Sequence, residues 1–209
     1  MKKVYIVRHG ETDINKQGLI QGRGIDAPLN ETGIIQAEAL CSFFRNRHID
    51  AIAVSSLHRT HRTAQPVAGM KNISMEIFPE LDEMSYGEYE GVSVHSVDEK
   101  MIEIKRNWHN GNTDVAIPGG ESPDEVYRRA SGRIHHLLDD RPERHWMFML
   151  HGRLIRILLS GWIYNDLRYM EKIQHTNAGI NVLQFDNGRF EPLLLNYSAH
   201  LNNSLAVSD

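Results

Sequence analysis

Three stretches of the chain are apolar without interruption and too short to be helices: Val4-Tyr5-Ile6-Val7, Ala51-Ile52-Ala53-Val54 and Trp146-Met147-Phe148-Met149-Leu150. Runs of this kind predict strands buried on both faces. Each ends in a polar or glycine-containing turn. After the second and third runs the pattern becomes helical, over 57–68 beyond Ser55-Ser56 and over 154–163 beyond Gly152-Arg153. Strand, turn and helix in succession make the unit of a parallel α/β sheet. Further helices are expected over 31–47, opened by Asn30, and over 122–139. The second has Ser122 as cap, Pro123 at the first helical position and Glu125 at the third, a capping box. Near the end, 180–185 and 189–195 flank Asp186-Asn187-Gly188, a hairpin turn sequence. The mostly parallel sheet therefore gains an antiparallel strand.

The stretch 84–120, with Gly87, Gly91, Gly111, Pro118, Gly119 and Gly120, is the least regular. It reads as a lid-like insertion in a single domain spanning 1–209. The last ten or so residues read as a surface tail.

At 209 residues the chain can bury a sizeable core, and a net charge of −4 gives it no global basic field. Nucleic acid is not an expected partner, and any anion site must be local. Neither Val4–Val7 nor 155–163, which contains Ser160 and Gly161, is a signal segment or a membrane span. The lone cysteine, Cys41, lies near Ile34, Ala37, Leu40 and Phe44 in a helical run and reads as a small core hydrophobe. A single cysteine excludes an internal disulfide, which fits a reducing, cytoplasmic location. A monomer and a homodimer are both open.

Ligands of open α/β sheets bind beyond the carboxyl ends of the strands. Here those ends carry Arg8-His9-Gly10, then Ser55-Ser56-Leu57-His58-Arg59, then His151-Gly152. Together they make a pocket of two histidines and two arginines, with Arg59 in the first turn of its helix where an anion is favoured. The natural guest is a phosphate. Gly10 lets the chain turn without a side chain in the pocket. His58 with His61 and His135 with His136 lack an accompanying carboxylate or cysteine set, so no metal is expected. No phosphate-binding loop and no dinucleotide fingerprint is present, so no cofactor is expected.

These residues resemble the histidine phosphatases, the phosphoglycerate mutase-like superfamily. The resemblance rests on Arg8-His9-Gly10-Glu11-Thr12 with Asn15, on Gln21-Gly22 leading to Asp26, Pro28-Leu29, Gly33 and Gln36-Ala37, and on Ser55 to Thr60 with Thr63-Ala64. It continues through Leu81-Asp82-Glu83, Gly87, Glu90-Gly91 and Gly119 to Ser122, then His151-Gly152 with Ile155-Arg156. The implied fold is a three-layer α/β/α sandwich. The resemblance implies His9 as nucleophile, forming a phosphohistidine, and Glu83 as proton donor to the leaving oxygen. It implies Arg8, Arg59 and His151 around the phosphoryl oxygens, with Asn15 and the Gly152 backbone as further donors and Gln21 and Gly22 at the entrance.

The chemistry supports these roles. Phosphoryl transfer spreads charge over three oxygens, which fixed cations stabilise without a metal. His9 must attack as the neutral ring, its other nitrogen held by a backbone carbonyl. Glu83 must arrive protonated, helped by the charge of the bound phosphate, and the same carboxylate then activates water.

In the mutases of this family the glutamate is followed by Arg-His-Tyr-Gly, and a lysine comes shortly after the next glycine. Here Met84 stands in the arginine's place and Val94 near the lysine's, so the cations a phosphoglycerate needs are missing. The segment 91–120 is also shorter, and its pattern looks like the phosphatase branch. The expected activity is metal-independent hydrolysis of small phosphorylated metabolites, releasing inorganic phosphate. The alternatives are a phosphoglycerate mutase and a non-catalytic phosphate-ligand or protein-binding module. Tyr86, Tyr89, Lys105, Arg106, Trp108 and His109 are candidate lid residues, most of them expected to serve loop packing.

Overall fold

The computed structural model describes residues 1–202; most of the expected C-terminal tail lies outside the described residues. Strands β1 (Lys2–Arg8), β2 (Ala51–Val54), β3 (Met75–Ile77), β4 (His145–Leu150), β5 (Ile180–Asp186) and β6 (Arg189–Tyr197) form one sheet in the order β3-β2-β4-β1-β5-β6. The first four run parallel, and β5 is antiparallel to both its neighbours. The helices are α1 (Asp13–Lys16), α2 (Glu31–Phe44), α3 (His58–Lys71), α4 (Glu99–His109), α5 (Pro123–Asp140), α6 (Gly152–Tyr164) and α7 (Ala199–Asn202).

Alternation along the strands explains their unbroken apolar sequence. Val4, Ile6, Ala51, Ala53, Trp146 and Phe148 enter one core, with α4, α5 and α6. Tyr5, Val7, Ile52, Val54, Met147 and Met149 enter a second core with α2 and α3. Both faces are covered, so a polar residue at any of these positions would be buried. Full burial of each large side chain is worth about 1.5–3 kcal/mol. The result is three layers, α/β/α.

The capping box at Ser122 and Glu125 is present, and Asn30 caps α2 through Gly33. α2 ends at Phe44, short of the expected Arg47. Residues 84–120 are more ordered than the glycines suggest. Within them α4, capped by Asp98, buries Met101, Ile104 and Trp108 in the first core. That spacing of i, i+3 and i+7 is helical.

Gly10 is small for a different reason than pocket clearance. A Cβ there would lie 2.6 Å from the Gly33 carbonyl oxygen, and one on Gly33 would lie 2.2 Å from the Glu11 oxygen. The two glycines let the loop after β1 pack backbone to backbone on the start of α2. Cys41 is half-buried against the second core, with Sγ 3.4 Å from the Pro66 carbonyl oxygen.

Candidate active site

Sheet register assembles the site. Arg8 on β1 pairs with Leu150 on β4, and Val54 on β2 pairs with Met149. The next residues are His9, His151 and Ser55, which therefore emerge side by side at the carboxyl end of three adjacent strands. The His9 and His151 rings lie 5.3 Å apart, centroid to centroid, and His151 Nε2 is 2.8 Å from Ser55 Oγ.

Partners fix both tautomers. His9 Nδ1 lies 2.7 Å from the Gly10 carbonyl oxygen, which can only accept, so Nδ1 carries the hydrogen and Nε2 the lone pair. Arg59 Nε–H can only donate, and it donates to His151 Nδ1 at 3.2 Å. His151 therefore donates from Nε2 to Ser55. Burial first, then the Arg59 charge, holds both imidazoles well below their ordinary pKa. Both rings are neutral at physiological pH.

A cavity of about 220 Å³ opens at this point, lined by Arg8, His9, Asn15, Gln21, Gly22 and Arg59 and also by Glu83, Tyr86, Gly152, Arg153 and Arg156. Arg8 donates to the His175 carbonyl at 2.8 Å, but its buried Nε has no partner, and neither has Gln21 Nε2. Buried donors without acceptors are costly, so two of them in one cavity wall suit an anion. Burial lowers the Arg8 pKa to about 10, which leaves it charged at neutral pH. Arg59 is held by the carbonyls of Gly22 and Ile25. Gln21 Oε1 accepts from Thr12 Oγ1 and Asn15 Nδ2, tying those residues to the same wall.

Glu83 reaches the site through α6. That helix has His151 as N-cap and no side-chain cap of its own. Glu83 supplies it from a distant segment, its Oε1 accepting from Leu154 N at 2.9 Å and its Oε2 from Arg153 N at 3.1 Å. A carboxylate also complements the helix N-terminus electrostatically. Arg129 on α5 holds the backbone behind Glu83 by donating to the carbonyls of Glu80, Asp82 and Glu83.

Arg8, His9, Asn15, Gln21, Gly22, Arg59, Glu83 and Gly152 all line the one cavity. His151 stands a layer behind, fully buried, with both ring nitrogens engaged by Arg59 and Ser55. Of the lid candidates, Tyr86 lines the cavity, Trp108 is core, and Tyr89 donates to Asp98. Val94 also lines the cavity, whereas Met84 is buried in the first core.

Cations other than those of the mutase pattern, which Met84 and Val94 replace, do reach the pocket: Arg153 and Arg156 come in from α6. Their i, i+3 spacing just after His151-Gly152 was the available signal. Sequence reading also missed Asn177, which donates to the His9 carbonyl and to Asn15 Oδ1. It missed His175 too, whose carbonyl anchors Arg8. Both lie in the Thr176 loop before β5, where no strand-end pattern marked them.

Among the described residues, His48, Asp50 and His145 could together hold a metal ion. They lie at the opposite end of the sheet. Asp50 already accepts hydrogen bonds from the backbone of Arg144 and His145 and from both imidazoles, tying β2 to β4.

A neutral imidazole beside arginines, with a carboxyl group in the same cavity, at the carboxyl ends of parallel strands, is an arrangement suited to phosphoryl transfer. The chain belongs to the histidine phosphatase superfamily (branch 1), whose family model matches residues 4–198. It is 32% identical over 205 residues to phosphoserine phosphatase 1 of Hydrogenobacter thermophilus, covering 96% of this chain and 95% of that protein. It is 34% identical over 160 residues to a probable phosphoglycerate mutase of Yersinia pestis, covering 77% and 74%. Among solved structures, a mycobacterial glucosyl-3-phosphoglycerate phosphatase superposes with a TM-score of 0.85 at 25% identity, covering 95% of this chain and 100% of that one. Phosphoserine phosphatase of Entamoeba histolytica, in complex with 3-phosphoglyceric acid, superposes with a TM-score of 0.84 at 25% identity, covering 96% and 100%.

Proposed function

We propose that the site hydrolyses small phosphomonoesters in two steps through a phosphohistidine on His9. The chain is a phosphoric monoester hydrolase of the histidine phosphatase superfamily, like the phosphatases it resembles over nearly its full length. The observation that carries the residue roles is the His9 tautomer. With Nδ1 held by the Gly10 carbonyl, the lone pair sits on Nε2, on a ring that lines the cavity.

In the first step Nε2 attacks phosphorus, the ester P–O bond breaks, and Glu83 gives its proton to the leaving oxygen. In the second, Glu83 takes a proton from water, the resulting hydroxide attacks phosphorus, and the P–N bond breaks to release inorganic phosphate. Arg8 and Arg59 neutralise the phosphoryl oxygens. Gln21, Asn15 and the Gly152 N–H add neutral donors. His151 fixes the Arg59 guanidinium through its Nδ1 lone pair and flanks His9; with its one N–H given to Ser55, it donates to phosphate only once Nδ1 takes up a proton or the ring changes tautomer. Tyr86 and Val94 bring the segment 84–120 to the cavity as its lid. A metal ion has no step to perform in this scheme. No described helix is long and apolar enough to cross a membrane, and a cytoplasmic setting fits the single thiol.

Hydrolysis of p-nitrophenyl phosphate tests the reading. Turnover is expected without added metal and with EDTA present, with an acid-labile phosphoenzyme, and both are lost in His9→Ala. Interconversion of phosphoglycerates without net hydrolysis would make the protein a mutase. Phosphate binding with no turnover on any ester would make it a binding module.

A further inference from the structure

Glu83 can serve as acid and then as base only if its carboxyl group is held at one place in the cavity. Backbone N–H groups hold its tip: Oε1 accepts from Met84 and Leu154, both at 2.9 Å, and Oε2 from Arg153 at 3.1 Å. The backbone that carries it is a different matter. Residues 82–86 are neither helix nor strand, so their carbonyls have no ladder partners. The Asp82 carboxylate ties the segment to the end of β2 by accepting from Ser56 N and Oγ, and Arg129 on α5 supplies the carbonyls.

Arg129 Nη1 donates to the carbonyls of Glu80 and Asp82, at 2.7 and 2.9 Å, and Nη2 to that of Glu83 at 3.1 Å. The same guanidinium grips the Glu121 carboxylate through Nε and Nη2, at 2.7 and 2.9 Å. Glu121 in turn accepts from the Ser85 N–H at 2.8 Å, and its own N–H donates to the Ser85 carbonyl. The chain entering the lid segment and the chain leaving it therefore meet at one bidentate ion pair, bonded to the acid's own carbonyl.

Resting on the phosphatase reading, we propose that Arg129, held by Glu121, is the positioning residue that sets the Glu83 carboxyl group against the leaving oxygen. Arg129 does not line the cavity, so it reaches the reaction only through Glu83. The number of acceptors calls for arginine: three carbonyls and two carboxylate oxygens take up all five N–H groups of the planar fork. Without the fork the carbonyls lose their donors and the acid moves. A displacement of about 1 Å costs up to about 100-fold in rate.

The consequence is a leaving-group effect and not a uniform loss. An acid matters most where the leaving oxygen is a strong base, and least where it departs readily as p-nitrophenolate. kcat/KM is measured for substituted phenyl phosphates, from p-nitrophenyl to p-methoxyphenyl, in the wild type, Glu83→Gln, Arg129→Met, Arg129→Lys and Glu121→Gln. That ratio covers only the steps up to release of the phenol, so the later attack of water drops out. The wild type is expected to depend weakly on leaving-group basicity and Glu83→Gln steeply. Arg129→Met is expected to approach the Glu83→Gln slope, losing about 10- to 100-fold on the p-methoxyphenyl ester and little on the p-nitrophenyl ester. Arg129→Lys, with three donors, and Glu121→Gln, which keeps the carbonyl clamp, are expected to fall between, and they carry the test where Arg129→Met does not fold. Loss of folded protein lowers every ester alike. Arg129 and Glu121 variants parallel to the wild type, beside a steep Glu83→Gln line, would overturn the inference. A Glu83→Gln line parallel to the wild type, or no turnover of any ester by the wild type, strikes the proposed acid itself and the positioning role with it.

Discussion

Acid should destabilise this fold well before its carboxylates titrate. His9, His151 and His175 are buried, and burial, with the neighbouring arginine charge, lowers each pKa, that of His175 to about 3. In the unfolded chain each returns to about 6.5. Below that pH the unfolded chain takes up protons that the folded chain refuses. Stability is therefore full above the unfolded value and falls as pH falls through it, until His175 itself titrates near 3.

Between about pH 7 and about pH 5.5 the loss is about 1.3 kcal/mol for each histidine and about 4 kcal/mol for the three. Against a typical total of about 5–15 kcal/mol this is large. Carboxylates with lowered values, such as Asp50 at about 2, add to the slope only at lower pH.

Urea unfolding at the two pH values, followed by the fluorescence of buried Trp108 and Trp146, measures the difference directly. His9→Asn removes one of the three groups, so the drop should shrink to about 2.6 kcal/mol. An unchanged drop in the variant would mean that His9 is not held neutral in the folded protein. The nucleophile argument would fall with it.

Ser55→Ala should leave the His151 Nε2–H without its partner at 2.8 Å, costing about 1–3 kcal/mol of stability; kcat should fall with it because Arg59 loses its fixed neighbour, and a variant with wild-type kinetics would remove Ser55 from the site's support. Gly33→Ala should place a Cβ 2.2 Å from the Glu11 carbonyl oxygen, lowering stability by about 1–3 kcal/mol or more. Thermal unfolding checks it, and an unchanged Tm would mean that the His9 loop and α2 are not packed as described.

The fold was largely legible because its decisive signals are local. Unbroken apolar runs marked β1, β2 and β4, a capping box marked α5, and Asp186-Asn187-Gly188 marked the β5–β6 hairpin. The helix α4 was hidden because glycines on both sides outweighed a short amphipathic pattern. Its burial depends on what it packs against.

Of the site, the sequence by itself determined the reactive types at the strand ends: Arg8 with His9, Arg59, and His151 with Gly152. Only the tertiary structure decided how they are held. A hydrogen bond such as Glu83 to the first turn of α6, Arg129 to the backbone behind Glu83, or Asn177 to the His9 carbonyl joins segments far apart in the chain. Nothing in either segment names the other. The same holds for Arg153 and Arg156: as sequence they are two charges near a helix start. The placement of α6 after β4, with Glu83 bonded to its first turn, makes them part of the cavity wall.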